Sequence, residues 1–148
     1  MRAVIQRVLS ASVSVDGKQI GSINQGLLIL LGVAKEDVIT DLDYLVKKTA
    51  GLRIFKDKHA NMNLSIEDVE GEALVVSQFT LCADTNKGRR PSFINAAPPE
   101  MANNMYQQYC KKLRKENIAV QTGQFGAMME VTLVNDGPVT IVLDSRER

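Results

Sequence analysis

Gly26-Leu27-Leu28-Ile29-Leu30-Leu31-Gly32-Val33 is an apolar run without polar alternation. A strand with one wet face would alternate at period two, so this run predicts a strand covered on both faces and puts the centre of a sheet here. Ahead of it, Ala11, Val13 and Val15 alternate with Ser10, Ser12 and Ser14, which predicts a half-buried strand. Those serines, with Arg2 and Arg7 and no acid, superficially resemble an organelle transit peptide, but the period-two pattern favours the strand. Asp16-Gly17 follows, and such a pair signals a two-residue hairpin because both central positions take positive φ. Lys18 to Ile23 should therefore return antiparallel.

Downstream, Thr40 is placed to cap a helix whose Leu42, Leu45, Val46, Thr49 and Leu52 share one face, with Asp43 near the positive end of its dipole. This helix should lie on the sheet. Lys56 to Ile66 is polar, holds the only histidine, His59, and reads as a loop. Ala73 to Val76 forms the next buried strand. A long polar connection follows from Ala83 to Pro99, and loops of this length usually bind something or move. A second helix starts near Glu100, with Ala102, Met105, Tyr106, Tyr109 and Leu113 at helical spacing, and Lys111, Lys112, Arg114 and Lys115 crowd its last turns. Ile118 to Gln121, Met128 to Val134 and Val139 to Leu143 read as three more strands.

The 148 residues suit one domain, 1–148, long enough to bury roughly 68 to 70% of the unfolded surface. With 45% hydrophobic and 24% charged residues the composition is that of an ordinary globular protein. Cys82 and Cys110 lack CxxC spacing and follow no leader, so free thiols and a cytoplasmic, reducing setting are expected. A net charge of +1 is too small for wholesale wrapping of nucleic acid, which leaves only local RNA contact. The longest apolar run is five residues, against about 20 for a membrane span.

One histidine and two scattered cysteines make a poor zinc ligand set, so no metal is expected. Neither GxxxxGK[ST] nor GxGxxG occurs, which disfavours nucleotide hydrolysis, and no cofactor is expected. A hydrolase using His59 or Cys82 stays open, although His59 sits in a charged segment and reads more simply as a solvated loop residue. Two segments carry chemistry. Ser77-Gln78-Phe79-Thr80-Leu81 ends an apolar strand with hydroxyls, a carboxamide and backbone donors. Such groups stabilise an oxyanion and position a nucleophile without a strong base, which suits an activated substrate such as an ester. The plainer alternative is a strand end whose side chains satisfy the backbone. Asn135-Asp136-Gly137-Pro138-Val139-Thr140 puts Gly before Pro, where a cis peptide costs only about 0.5 to 1 kcal/mol; the alternative is an ordinary turn.

Together with Arg2-Ala3-Val4-Ile5-Gln6-Arg7-Val8 and Gly123-Gln124-Phe125-Gly126-Ala127, these segments closely resemble, in order and nearly end to end, the D-aminoacyl-tRNA deacylases. The resemblance implies an α/β fold, a single domain with a mixed barrel-like β core and two main helices packed on it, acting as a homodimer. It further implies hydrolysis of the ester joining a D-amino acid to tRNA, with Ser77, Gln78, Phe79 and Thr80 lining the catalytic pocket. Gly137 and Pro138, held cis and supported by Arg7, would enter the partner's pocket and reject L-aminoacyl-tRNA with their carbonyls. Phe125, Gly126, Ala127 and Met129 would seat the terminal adenine, with core packing as the alternative for Met129. Lys87, Arg89 and Arg90, and the basic end of the second helix, would meet acceptor-stem phosphates, with a solvated charge run as the alternative, and contact would be mainly with the CCA end. A non-catalytic module that binds an RNA end is the other reading.

Overall fold

The computed structural model describes residues 1–147. Its longest strands are β1 (Arg2–Val15) and a C-terminal strand (Glu130–Asp144) that pair antiparallel along nearly their whole length. On the other edge of β1, the N-terminal half pairs with β3 (Gly26–Gly32) and the C-terminal half with β2 (Lys18–Ile23). The β1–β2 turn has Asp16 at φ 49° and Gly17 at φ 74°, the left-handed pair that the Asp-Gly motif predicts. Beyond β3 lie β6 (Glu72–Ser77) and then β7 (Ala119–Thr122), both parallel to it. β2 packs near β6 and β7, so the sheet curls into a nearly closed mixed barrel.

Two helices cover the outside: α1 (Ile39–Gly51) and α2 (Pro99–Lys115). The lack of alternation in β3 now has its cause. Leu27, Ile29 and Leu31 belong to the core under the helices, and Leu28 and Leu30 to the barrel interior with Val8, Val13, Leu74 and Val76. β6 divides the same way, Ala73 and Val75 outward to the helices, Leu74 and Val76 inward.

Three sequence expectations change. Val38, not Thr40, is the N-cap of α1: the Asp41 carboxylate accepts the Val38 N–H at 2.9 Å, and Thr40 lies inside the first turn. The cap is supplied from within the helix, which a search for a hydroxyl or carboxamide ahead of it does not find. Lys56 to Ile66 is not simply a loop, because Phe55–Lys56 (β4) and Met62–Leu64 (β5) pair as a small separate hairpin. Its strands are too short to show a period. The last two expected strands are one, β8 (Glu130–Asp144), interrupted in register rather than in direction.

Candidate active site

β6 is buried through Val76 and surfaces at Ser77, which lies level with Leu31 of β3. The Gln78 N–H donates to the Leu31 carbonyl at 2.8 Å, and the chain then coils into a 3-10 turn, Phe79–Cys82. Gly32 lets that turn sit close to β3, since a Cβ there would lie 2.9 Å from Leu81 Cβ and 3.0 Å from the Gln78 carbonyl oxygen. The first N–H groups of a helical turn have no acceptor inside it, and those of Phe79 and Thr80 belong to exposed residues. The Gln78 carboxamide donates to the Thr80 hydroxyl, and Arg2 donates to the Leu81 carbonyl at 2.9 Å. Phe79 is 55% exposed, with its ring edge-to-face against Phe93 at 5.1 Å.

The second segment is a bulge in β8. Gln6 pairs with Thr140 and Val8 with Asn135, so Arg7 alone faces the four residues 136–139. The Gly137-Pro138 peptide is cis and Gly137 has φ +135°. A Cβ on Gly137 would stand 2.8 Å from Val139 Cγ2 and 3.2 Å from Arg7 Nη2. Arg7 is 2% exposed and lies under the bulge. Its Nε donates to the Asp136 carbonyl and stands 3.1 Å from the Asp136 carboxylate, while Nη1 donates to the Ile54 carbonyl. The Asn135 carboxamide ties the bulge's two ends, accepting the Val139 N–H at 2.8 Å and donating to Thr140 Oγ1 at 3.1 Å. Asn135 and Asp136 as supports were not singled out from the sequence; an Asn at the mouth of a Gly-Pro turn was the available signal.

These two segments do not meet within one chain. Ser77 is level with Leu31, and Arg7 pairs with Leu27. Four residues along the strands and three strand spacings across the β8-β1-β3-β6 order separate them by roughly 20 Å. Between them, on the sheet face away from the helices and in line with Leu30 and Leu28 of β3, runs an open ribbon of cross-strand pairs, Arg2–Asp144, Val4–Val142 and Gln6–Thr140. Arg2 pairs with Asp144 at 2.7 Å, and Val142 is 68% exposed.

The remaining predicted residues spread more widely. Phe125 is half-buried, 6.1 Å from the Tyr106 ring, and packs against the helix-side core; Met129 packs against the barrel interior. Gly126 (φ +76°) and Ala127 form an open turn between them, and Met128 beside it is exposed. Lys87, Arg89 and Arg90 are exposed on a loop closed at its base by mutual Asp84–Ser92 backbone bonds of 2.8 and 2.9 Å. The basic end of α2 lies beside the start of β7, at the end of the sheet away from Ser77. His59 is exposed in the β4–β5 turn. Burial raises the Cys82 thiol above its ordinary value and pushes Cys110 up to about 11, so neither is a ready thiolate.

A small curled sheet that ends in an exposed turn of hydroxyl, carboxamide and backbone donors has the parts that an ester hydrolase uses. The chain matches the family described as D-Tyr-tRNA(Tyr) deacylase over residues 4–144 and belongs to it. It is 57% identical over 146 residues to the D-aminoacyl-tRNA deacylase of Desulfatibacillum aliphaticivorans, covering 99% of this chain and 100% of that one. Identity to the protein of that name from Clostridioides difficile (strain 630) is 58%, over 98% of this chain and 97% of that one. Among solved structures, the c-Myc DNA Unwinding Element Binding Protein superposes with a TM-score of 0.91 at 42% identity, covering 97% of this chain and 98% of that one. A probable eukaryotic D-amino acid tRNA deacylase shares the fold, with a TM-score of 0.81 at 19% identity over 96% and 97% of the two chains.

Proposed function

We propose that this protein hydrolyses the ester of D-aminoacyl-tRNA, with Ser77, Gln78, Phe79 and Thr80 forming the catalytic turn and Gly137 and Pro138 of a second copy forming the chiral gate. The observation that carries this reading is the placement of the two segments at opposite ends of one exposed ribbon on the face away from the helices. A two-fold axis through the Val4–Val142 pair would exchange the ribbon's ends and bring each bulge over the other copy's turn. A C2 contact of this kind is self-complementary by construction.

In this reading the amide N–H groups of Phe79 and Thr80 donate to the oxyanion as the ester carbonyl is attacked, and Gln78 and Ser77 orient the ester or a water. No imidazole stands by Thr80 to activate it, so the hydroxyl positions the substrate. The 2′-hydroxyl of the terminal adenosine assists its own hydrolysis. The carbonyls of the Gly137-Pro138 bulge face the substrate's α-carbon, and an L side chain would collide with them. A thousandfold preference needs only about 4 kcal/mol at the transition state. Glycine has no side chain to collide, so glycyl-tRNA is also cleaved. The turn Phe125, Gly126 and Ala127, with Met129, seats the terminal adenine, and contact is mainly with the CCA end.

The test is release of amino acid from D-tyrosyl-, L-tyrosyl- and glycyl-tRNA by purified protein, repeated with His59→Ala and Cys82→Ala. Cleavage of the D and glycyl esters alone, unchanged in both variants, is expected. Binding without release would favour the RNA-end module, and loss in either variant a His- or Cys-dependent hydrolase. Abolition by Thr80→Val together with a trapped acyl-enzyme would overturn substrate assistance.

A further inference from the structure

The exposed aromatic surface beside the catalytic turn is left over once the ester and the terminal adenine have been placed. Phe79 is 55% exposed, Phe93 38% and Ile94 74%, and the two phenyl rings stand edge-to-face at 5.1 Å and 70°. Clustered exposed apolar side chains of this size mark a contact surface. Phe125, by contrast, is half-buried and packs on the core side against Tyr106, so its ring offers less open face.

The loop that delivers Phe93 is also the most cationic part of the site's surroundings. Between residues 83 and 98 it holds Lys87, Arg89 and Arg90 against the single acid Asp84. It is anchored, not loose: Asp84 and Ser92 exchange backbone bonds, Lys35 N–H donates to the Asn95 carbonyl at 3.0 Å, and Ala97 N–H to the Val33 carbonyl at 2.9 Å. The aromatic side chain is thus held against the turn while the cations stay at the solvent-facing tip. An aromatic platform flanked by Lys and Arg is the arrangement by which single-stranded nucleic acid is held without sequence reading, base on ring and phosphate on cation.

We propose that Phe93, with Phe79, forms a stacking subsite for the nucleotide preceding the terminal adenosine, and that Lys87, Arg89 and Arg90 hold the phosphates on either side of it. The occupant is single-stranded RNA, favoured over an acidic protein partner because exposed rings and cations occur together, the one suited to a base and the other to its phosphates. This inference rests on the proposed function. It adds that recognition extends past the terminal nucleoside onto a surface made by the 83–98 loop.

The experiment compares three D-tyrosyl esters, of adenosine alone, of the trinucleotide CCA and of whole tRNA, on the wild type, Phe93→Leu, Phe93→Tyr and Arg90→Ala. In the wild type, extending adenosine to CCA should raise kcat/KM by roughly tenfold, the order of one base stack. Phe93→Leu should erase that gain while leaving the adenosine ester unchanged, and Phe93→Tyr should restore it. Arg90→Ala should weaken the CCA and tRNA substrates and flatten their salt dependence. No gain from CCA in the wild type overturns the proposal without any variant. Equal loss on all three esters in Phe93→Leu overturns it too, because the residue would then only brace Phe79. So would a change of oligomeric state in that variant, which would make the patch a contact between copies. If the wild type cleaves none of the D esters, the proposed function itself fails.

Discussion

The turn at Ser77–Cys82 and the bulge at Asn135–Thr140 are both polar insertions at the margin of the same barrel, yet they are built on opposite principles. The turn exposes its groups: Phe79 and Thr80 face water, the Gln78–Thr80 bond is local, and the one distant tie is an exposed Arg2 donating to the Leu81 carbonyl. The bulge is fixed from beneath by a buried guanidinium and across its mouth by a carboxamide. Donors that meet a developing charge can be completed by the substrate. A steric gate cannot, because a wall that yields by an ångström rejects nothing. The bracing of the second region and the openness of the first suit the gate and the catalytic turn proposed for them.

The largest effect should come from softening the proposed gate. Gly137→Ala places a Cβ 2.8 Å from Val139 Cγ2 at φ +135°, where L side chains are strained. The bulge must shift, and the ratio of kcat/KM for D- over L-tyrosyl-tRNA should fall by about a hundredfold or more, against the ~4 kcal/mol that a thousandfold preference represents. Mixing this variant with Thr80→Trp sharpens the comparison. If each site draws its turn from one copy and its gate from the other, a mixed dimer gains one intact site that is both active and selective, which neither parent dimer has. A site made within one chain would show no recovery.

Next comes Arg7→Met, which removes the bulge's floor. Removing the guanidinium leaves the part-exposed Asp136 carboxylate and two carbonyls without their donor, and should cost about 2 kcal/mol, read from the urea midpoint. Selectivity should collapse with it, whereas a truncation in the exposed turn, such as Ser77→Ala, should leave the midpoint nearly unchanged.

The two regions also differ in how far they could be read. Leu27 to Leu31 and Ala73 to Val76 announce a strand covered on both faces because continuous apolarity has few other uses, so the sheet and the place where β6 surfaces were legible. The bulge's support was reached only through the family resemblance, which named Arg7 but neither Asn135 nor Asp136. Arg7 sits in a strand of alternating pattern that would suit a surface cation equally well, and only three-dimensional register sets it against residues 136–139. The same limit hid the continuity of β8, since Asn-Asp-Gly-Pro reads locally as an end. Thr40 failed as a cap for a different reason: Asp41 reached back to Val38 and made a separate capping residue unnecessary.

Alkali should act on the turn's side of the molecule before the gate's. α2 braces β6 through the Tyr106 hydroxyl, which donates to the Val75 carbonyl at 2.9 Å, and braces α1 through Tyr109 and Thr49 at 2.7 Å. Burial raises both phenols above their ordinary 10.0, and lifts Cys110 from 9.0 to about 11. Folded-state values above unfolded ones mean that the folded state holds more protons in this range. Stability is full below about pH 9 and falls as the pH rises through 10 and 11. Urea midpoints at about pH 7, 9 and 10.5 should show a plateau and then a decline, and Cys110→Ala should delay its onset.

The smallest effect is the most informative about stiffness. Asn135→Ala removes the acceptor of the Val139 N–H and the link to Thr140, but leaves Arg7 in place beneath the bulge. Val139 N–H lies in a partly buried setting and loses a bond of ordinary worth, so stability should drop by only about 1 kcal/mol. The turn is untouched, so kcat for the D-tyrosyl ester should hold. The gate's mouth, however, is free to open, and the D/L ratio should slip by roughly tenfold, equivalent to 1.4 kcal/mol of lost clash. A ratio that stays put would mean Arg7 alone sets the wall, and that the carboxamide serves only to satisfy a backbone donor. A ratio that falls as far as in Gly137→Ala would mean the mouth, and not the floor, is what keeps the carbonyls in place.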